Sequence, residues 1–477
     1  MTKYVIQNSV KSITTDSRQV QAGSLFLAYP GEKTDGRKYI DDAIKNGAVA
    51  ILWDPKEFSW KPHWKIENTS IKNLRQQAGR IADQFYGKPS DKLWTIGVTG
   101  TNGKTSISQW LSQCFNHLGR KTAVIGTLGN GLLNQLNPTQ NTTPDAIVLQ
   151  SMLADYLKQN AEIVAMEVSS HGLDQGRVNG VHFDVAVLSN LTRDHLDYHG
   201  SHEKYATAKR RLFVSSDLKL AVLNIDDDFG KQIELELSAL GVATMTYGIG
   251  GGDVSASKIH YAHGNFNFLV TTPYGQAEVK ANLLGRFNVY NVLAVLATLL
   301  VSKVSLTDAV EAISHIKSAS GRMQQLGGGE LPLVVVDYAH TPDALQNVLS
   351  TLKEQTATKL ICVFGCGGNR DAGKRELMGK VACDIADAVV VTSDNPRFEN
   401  PETIIQDILE GMHGNYAVEE NRAKAIAIAI STAKPGDTVL IAGKGHEDYQ
   451  EIAGEKQHFS DVEQAQKALK RYEGALM

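Results

Sequence analysis

Cysteine is scarce in this chain of 477 residues: there are four, Cys114, Cys362, Cys366 and Cys383. They are widely spread, and the Cys362/Cys366 pair has no second pair at metal-ligand spacing. That excludes a disulfide framework or a structural zinc and points to reduced thiols in a cytoplasmic protein. An excess of one charge is also missing. The formal net charge of −4 gives no support to a nucleic-acid binder relying on bulk positive charge. No apolar run reaches the roughly 18–20 residues needed to span a bilayer. The opening stretch, MTKYVIQNSVKSITTDSR, is too polar for a secretory signal. No membrane insertion is expected. Short internal repeats and low-complexity tracts are absent. What remains is a soluble composition in a chain too long for one typical core, so two to four domains are expected.

The pattern along the chain is apolar strand, turn and amphipathic helix, repeated many times, which predicts an α/β fold with mostly parallel sheets. Residues 1–89 hold the strands GSLFLAY and AVAILW and a helix around Asp41–Asn46, and Lys88-Pro89-Ser90 reads as a linker. A second segment, 90–326, opens with WTIGVTG and continues through KTAVIG, EIVAMEVSS, FDVAVLSN and LKLAVLN. Its NFNFLVTTPYGQAEVKANL alternates apolar and polar residues about a turn and predicts an antiparallel hairpin on that segment's edge. Helices over Asn288–Val301 and Ser305–Ile316 close it, and GGGELP marks a second boundary. The third segment, 327–477, repeats the pattern in LVVVDY, KLICVFG, AVVVTS and DTVLIAG.

The loop VTGTNGKTS follows a strand and precedes a helix predicted over Thr105–Leu118. It lacks the first glycine of the strict G-x-x-x-x-G-K-[ST] pattern, where Val98 stands instead. Its context is still that of a phosphate loop: glycines let backbone N–H groups converge on an anion at a helix N-terminus. Lys104 would then reach the β/γ-phosphates and the Thr105 hydroxyl would sit on Mg²⁺. The plain alternative is a tight strand–helix turn. Glu167 ends a buried strand, where α/β folds place ligands, though a carboxylate there could equally cap the next helix. Asp194, His195, Asp197 and His199 crowd six residues, a composition suited to metal or phosphate or simply to a polar loop. Lys209 lies on an amphipathic helix and by pattern alone reads as a solvated face residue. In the third segment DYAHTPDAL, FGCGGNRDAGKRELMG, TSDNPRFENP and AGKGHEDYQ all sit just past strand ends, so one edge of that sheet is a candidate site.

Seven stretches in this order, TGTNGKT, EVSSHGL, NLTRDHLDYHG, GRFNVYN, GRMQ, DYAHTPD and GCGGNRD, resemble the Mur ligase family, the ATP-dependent amino-acid ligases of peptidoglycan precursor synthesis. The family's loop has this T-G-T-N-G-K-T form, so Val98 does not argue against a nucleotide site. Within the family, TTDSR, GEKTDGR, NTTPD, DNPR and GKGHEDYQ look like the tripeptide-forming branch, which joins a diamino acid to UDP-N-acetylmuramoyl-L-alanyl-D-glutamate. DNPR matches the enzymes adding meso-2,6-diaminopimelate, whereas lysine-adding relatives typically replace the arginine. The resemblance implies three domains: an N-terminal UDP-binding α/β domain, a central P-loop ATPase domain with a mostly parallel sheet, and a C-terminal Rossmann-like domain. It implies a cytoplasmic monomer using ATP and Mg²⁺.

The same resemblance assigns residues. The uridine nucleotide would meet Thr15, Ser17, Glu32, Lys33 and Thr34, and the muramoyl dipeptide Thr142, Thr143, Ser169, Gln175 and Arg177. ATP would lie on Gly100, Thr101, Asn102, Gly103, Lys104 and Thr105, with Asn288, Arg322 and Asp337. Arg370, Asp394, Asn395, Pro396, Arg397, Gly443 and Glu447 would hold diaminopimelate. Mg²⁺ would fall on Thr105, Glu167, His195 and a carbamylated Lys209, which removes Lys209 from the solvated class. Three rivals stay open: an L-lysine-adding relative, a plain P-loop kinase or ATPase, and a folylpolyglutamate-synthase-like ligase.

Overall fold

The computed structural model describes residues 10–476 apart from 33, 134, 140, 216, 217, 263, 264 and 357. The chain divides into two compact units, residues 1–254 with 294–305 and residues 255–293 with 306–477.

The first unit begins with four parallel strands in sequential order, Ser12–Thr14, Ser24–Ala28, Ala48–Trp53 and Glu67–Ser70. The expected helix near Asp41 is present as Ile40–Lys45. A second helix, Leu74–Phe85, was not anticipated, although Leu74, Ala78, Ile81 and Ala82 carry its buried stripe at helical spacing. The Asp54 carboxylate anchors its start by accepting from Leu74 N–H at 2.9 Å. The helix then packs so closely on the next layer that a Cβ at Gly79 would lie 1.8 Å from the Asn179 carbonyl oxygen. Within Lys88-Pro89-Ser90 the lysine is exposed, whereas Pro89 and Ser90 are buried. Ser90 is buried and its hydroxyl accepts from His182 N–H at 3.0 Å.

Six parallel strands form the core of the following sheet, in the order Ala243–Gly248, Leu220–Asn224, Val185–Leu188, Trp94–Thr99, Ile163–Glu167, Thr122–Gly126. Two short antiparallel strands, Gly129–Leu132 and Gln135–Asn137, extend it beyond Thr122–Gly126. The inner strands Leu220–Asn224, Val185–Leu188, Trp94–Thr99, Ile163–Glu167 and Thr122–Gly126 read as mostly apolar runs because both faces are covered. From Trp94–Thr99 the chain first builds outward through Thr122–Gly126 and back to Ile163–Glu167, then crosses to Val185–Leu188 on the other side. Such a reversal opens a crevice at the strands' C-terminal ends. It places the loops after Thr99, Glu167 and Leu188 side by side.

Asn265–Thr272 and Gly275–Ala281 form the expected antiparallel hairpin, and Val254–Ala262, not expected, pairs antiparallel with Asn265–Thr272. A six-stranded sheet follows in the order Gln324–Gly327, Leu333–Asp337, Thr438–Ala442, Leu360–Phe364, Ala388–Val391, Tyr416–Val418, parallel except for the first pair. That antiparallel pair makes Gly327–Pro332 the turn of a hairpin, so the boundary expected at 326/327 cuts across a strand pairing. Helices Pro342–Gln355, Lys374–Ile385 and Pro401–Leu409 cover one face, and Arg422–Thr432 with Asp461–Leu476 cover the other. All four cysteines are free. Among the described residues no helix is long and apolar enough to cross a membrane.

Candidate active site

The glycine loop of the first unit is built by its neighbours as much as by its own glycines. Gly100 has φ 147°, and a Cβ there would lie 1.9 Å from Ser189 Oγ, so no side chain fits. Gly103, at φ 87°, turns the chain into the helix Lys104–His117. The next parallel strand supports the loop from the side. Thr101 N–H donates to Asn190 O and Asn102 N–H to Asn190 Oδ1, each at 2.9 Å. Thr192 N–H donates to Thr101 Oγ1, also at 2.9 Å. The Asn190 and Thr192 roles depend on strand order, which sequence pattern does not carry.

Lys104 folds back over the loop, its Nζ donating to Gly100 O at 2.9 Å and Thr101 O at 2.8 Å. Lys209 Nζ donates to the same Gly100 oxygen at 2.7 Å. The pattern-based placement of Lys209 on a solvated face is thus wrong. Its residue is 1% exposed, on the helix His202–Arg210, with the ammonium 4.6 Å from the centre of the Tyr205 ring. A helical wheel reads Lys209 as polar and therefore outward, but the surface it meets is the underside of the loop. Burial holds its amine well below the ordinary lysine range, and the Lys104 charge adds to this, with Asp194 opposing.

Glu167 is 1% exposed and accepts from Thr105 Oγ1 at 2.9 Å, Thr127 N–H at 2.7 Å and Thr127 Oγ1 at 3.1 Å. It does not cap the helix that follows; Ser169 does, its Oγ accepting from Gly172 N–H at 3.0 Å. Thr127 was missed because nothing in its local sequence distinguishes it. The expected dipeptide residues join the same network. Thr143 Oγ1 donates to Glu167 O at 2.9 Å and to Ser169 Oγ at 3.1 Å. Arg177 donates to Thr143 O at 2.7 Å and Gln175 Oε1 at 2.9 Å. Gln175 in turn donates to Glu32, which Arg75 approaches to 3.5 Å. Thr142 Oγ1 lies 3.1 Å from Thr127 Oγ1.

His195 sits at φ 52°, 3.5 Å from the Asp194 carboxylate, with its ring 4.9 Å from that of His171. His199, by contrast, is buried against Ser170 Oγ at 3.0 Å. The remaining nucleotide candidates are more scattered. Ser17 is buried in a short turn with Asn46 donating to its carbonyl, and Thr34 Oγ1 reaches Tyr39 OH at 3.2 Å. Thr15 follows the strand Ser12–Thr14. Lys33 lies outside the described residues.

In the second unit the polar loops converge as expected on one sheet edge. Asp337 ends its strand and accepts from Met323 N–H and Ala339 N–H, both at 2.8 Å. The Arg322 guanidinium lies 4.8 Å from the Tyr338 ring centre. Asn288 is turned inward, donating to Leu284 O at 2.7 Å and accepting from Asn291 at 2.9 Å. The Asp394–Arg397 loop closes on AGKGHE through Lys444, a fully buried ammonium that sequence reasoning passed over. Lys444 Nζ donates to Asn395 Oδ1 at 2.8 Å and lies 3.7 Å from Asp394 and 3.5 Å from Glu447. The Asn395 amide then donates to Glu447 at 2.8 Å. Gly443 has φ 117° and no space for a Cβ, which would stand 2.6 Å from Asp394 Oδ2. Pro396 lies between these groups and Arg397, while Arg370 stands exposed.

Profiles of the Mur ligase family match three stretches: the Mur ligase family catalytic domain over residues 9–86, the Mur ligase middle domain over 98–299, and the Mur ligase glutamate ligase domain over 321–445. The chain belongs to the Mur ligase family. It has that family's three-domain α/β architecture. The UDP-N-acetylmuramoyl-L-alanyl-D-glutamate–2,6-diaminopimelate ligase of Chromobacterium violaceum is 51% identical over 96% of this chain and 94% of its own length. That of Neisseria meningitidis serogroup A is 48% identical over 95% and 94%. A solved structure of a 2,6-diaminopimelate ligase of the same description matches with TM-score 0.75 and 39% identity, over 97% of this chain and 95% of the other. Mur ligases are amide-bond-forming enzymes, and so is this one.

Proposed function

We infer that this Mur ligase adds meso-2,6-diaminopimelate to the γ-carboxylate of UDP-N-acetylmuramoyl-L-alanyl-D-glutamate, using ATP, in the cytoplasm and as a monomer. The observation that carries this reading is the DNPR loop. It is present in a chain about half identical to curated diaminopimelate ligases, and Arg397 is held at its end.

The chemistry proceeds in two steps. The D-glutamate γ-carboxylate attacks the γ-phosphorus of ATP, giving an acyl phosphate and ADP. The diaminopimelate amine then attacks the acyl carbon, and phosphate leaves. The first step brings a carboxylate onto a polyanion, so the site must supply fixed positive charge and N–H donors. Lys104 and the loop N–H groups at the helix Lys104–His117 supply these. Thr143, Ser169, Gln175 and Arg177 would hold the dipeptide beside the loop, while Thr15, Ser17, Glu32, Lys33 and Thr34 receive the uridine nucleotide. Asn288, Arg322 and Asp337 are further residues we propose for the nucleotide. Arg370, Asp394, Asn395, Arg397, Gly443 and Glu447 would receive the amino acid, acidic groups facing its ammonium and arginines its carboxylate.

The residues present suit Mg²⁺. Glu167 is a buried carboxylate beside the Thr105 hydroxyl, and hard oxygen donors of this kind are what a divalent ion takes. When bound, the ion would neutralise phosphate charge as the phosphoryl group transfers. His195 and Lys209 are the further ligands we propose. Carbamylation of Lys209 is consistent with its burial, because CO₂ adds only to a neutral amine and the product is an anion.

ADP release with the muramoyl dipeptide nucleotide, comparing meso-diaminopimelate with L-lysine, tests the reading. A strong preference for diaminopimelate is expected, since a polar site commonly rejects an analogue lacking its partner group by about 10⁴–10⁵. Equal use of lysine would point to the lysine-adding relative. ADP release independent of any amino acid would point to a plain ATPase.

A further inference from the structure

Arg397 has a backbone in the left-handed region, φ 54°, which a residue with a Cβ rarely adopts unaided. The hairpin Tyr449–Ile452 with Glu455–His458 holds it there. Arg397 N–H donates to Glu451 O at 2.9 Å, Ala453 N–H donates to Arg397 O at 2.6 Å, and Arg397 bridges Ile452 in parallel. The side chain is held from two sides. Its Nη1 donates to Gly368 O at 2.8 Å, and its Nε lies 3.3 Å from Glu451 Oε2. The Glu451 N–H also reaches back to Asn395 Oδ1 at 2.9 Å. One residue thus meets the D-N-P-R loop at three points, by its N–H, its carbonyl and its carboxylate.

We infer that Glu451 is a positioning residue for amino-acid selectivity, aiming the guanidinium of Arg397 at the distal carboxylate of the diamino acid. The inference rests on the reading of function above. A guanidinium has five N–H donors in a planar fork. With Nε facing Glu451 and Nη1 donating to Gly368 O, the remaining Nη1 and Nη2 hydrogens are the ones we assign to the carboxylate. Without Glu451, the long side chain of Arg397 regains its rotamer freedom. A diaminopimelate carboxylate must then fix it at the moment of binding. The fixed positive charge that repels a lysine ammonium is dispersed at the same time. Both effects act on the amino acid alone.

The test is steady-state ADP release by full-length Glu451→Ala and Glu451→Gln, with meso-diaminopimelate and L-lysine, alongside KM for ATP and for the muramoyl nucleotide and the melting temperature. Glu451→Ala should raise KM for diaminopimelate by about 10-fold or more, since misplacement of a recognition group by about 1 Å can cost up to about 10². Its kcat and the other two KM values should stay near parental, and the diaminopimelate-to-lysine ratio of kcat/KM should fall. Glu451→Gln keeps an acceptor for Nε and should fall between. A parental KM and ratio in Glu451→Ala would overturn the inference. So would an equal loss with every substrate together with a lowered melting temperature, which is what a merely structural role gives. A parent enzyme that does not prefer diaminopimelate would instead sink the reading of function, and this inference with it.

Discussion

Gly126→Ala tests whether the position of Glu167, rather than its charge alone, carries the phosphoryl-transfer step. Gly126 ends the strand Thr122–Gly126, and its backbone is not in the left-handed region, so an alanine there meets no φ strain. The added Cβ would, however, lie 2.2 Å from Glu167 Oε1, where ordinary contact begins at 3.4 Å. The carboxylate must therefore retreat by about 1.2 Å, the difference between the two. Its present bonds to Thr127 N–H at 2.7 Å and Thr105 Oγ1 at 2.9 Å cannot both survive that movement. Losing one hydrogen bond to a charged group costs about 1.5–3 kcal/mol. The fold survives this loss, but a misplacement of about 1 Å at a reacting centre is worth about 10² in rate. ADP release with diaminopimelate should fall by that order, with a higher Mg²⁺ concentration needed for half-maximal rate and a near-parental circular dichroism spectrum. Glu167→Gln, which keeps the position and removes the charge, is the companion variant. Parental turnover in Gly126→Ala at parental Mg²⁺ demand would refute the role given to Glu167.

Lys209→Ala should lose most activity, and Lys209→Arg should not restore it, because a buried guanidinium cannot become an anion; an active arginine variant in the ADP-release assay would show that Lys209 acts as a cation. Arg422 is fully buried and forked onto the buried Asp461 at 2.7 Å through both Nε and Nη2. Arg422→Met should cost about 3–5 kcal/mol in denaturant unfolding by stranding that carboxylate, whereas Arg422→Met with Asp461→Leu should recover most of it. His446 has its pKa lowered to about 4 by burial, with the Arg322 charge adding to this. The unfolded ring binds a proton near pH 6.5 and the folded ring does not, so His446 makes stability fall as pH drops from about 6.5 to about 4. The full effect is about 3 kcal/mol at about 1.4 kcal/mol per pKa unit. His446→Gln should flatten that part of the stability–pH profile.

The sequence by itself determined the fold class, because buried parallel strands must be continuous apolar runs and their loops must fall between them. It also marked the glycine loop, since Gly100 and Gly103 take backbone angles open to few other residues. Periodicity reports only which way a residue faces within its own element, and there the reading failed where tertiary contacts took over. Lys209 is polar on a helix, yet the glycine loop, distant from it in the chain, covers it. Pro89 and Ser90 of the apparent linker are buried, and Ser90 is tied to His182, far along the chain. The glycines of GGGELP turn a hairpin, since strand pairing, not composition, decides whether such a run joins strands or divides domains. Only the tertiary structure could set Thr127 on Glu167, Lys444 between Asp394 and Glu447, and Glu451 against Arg397. Each of these arrangements brings together residues at least 40 apart in the chain, and no local pattern encodes which strands and loops become neighbours.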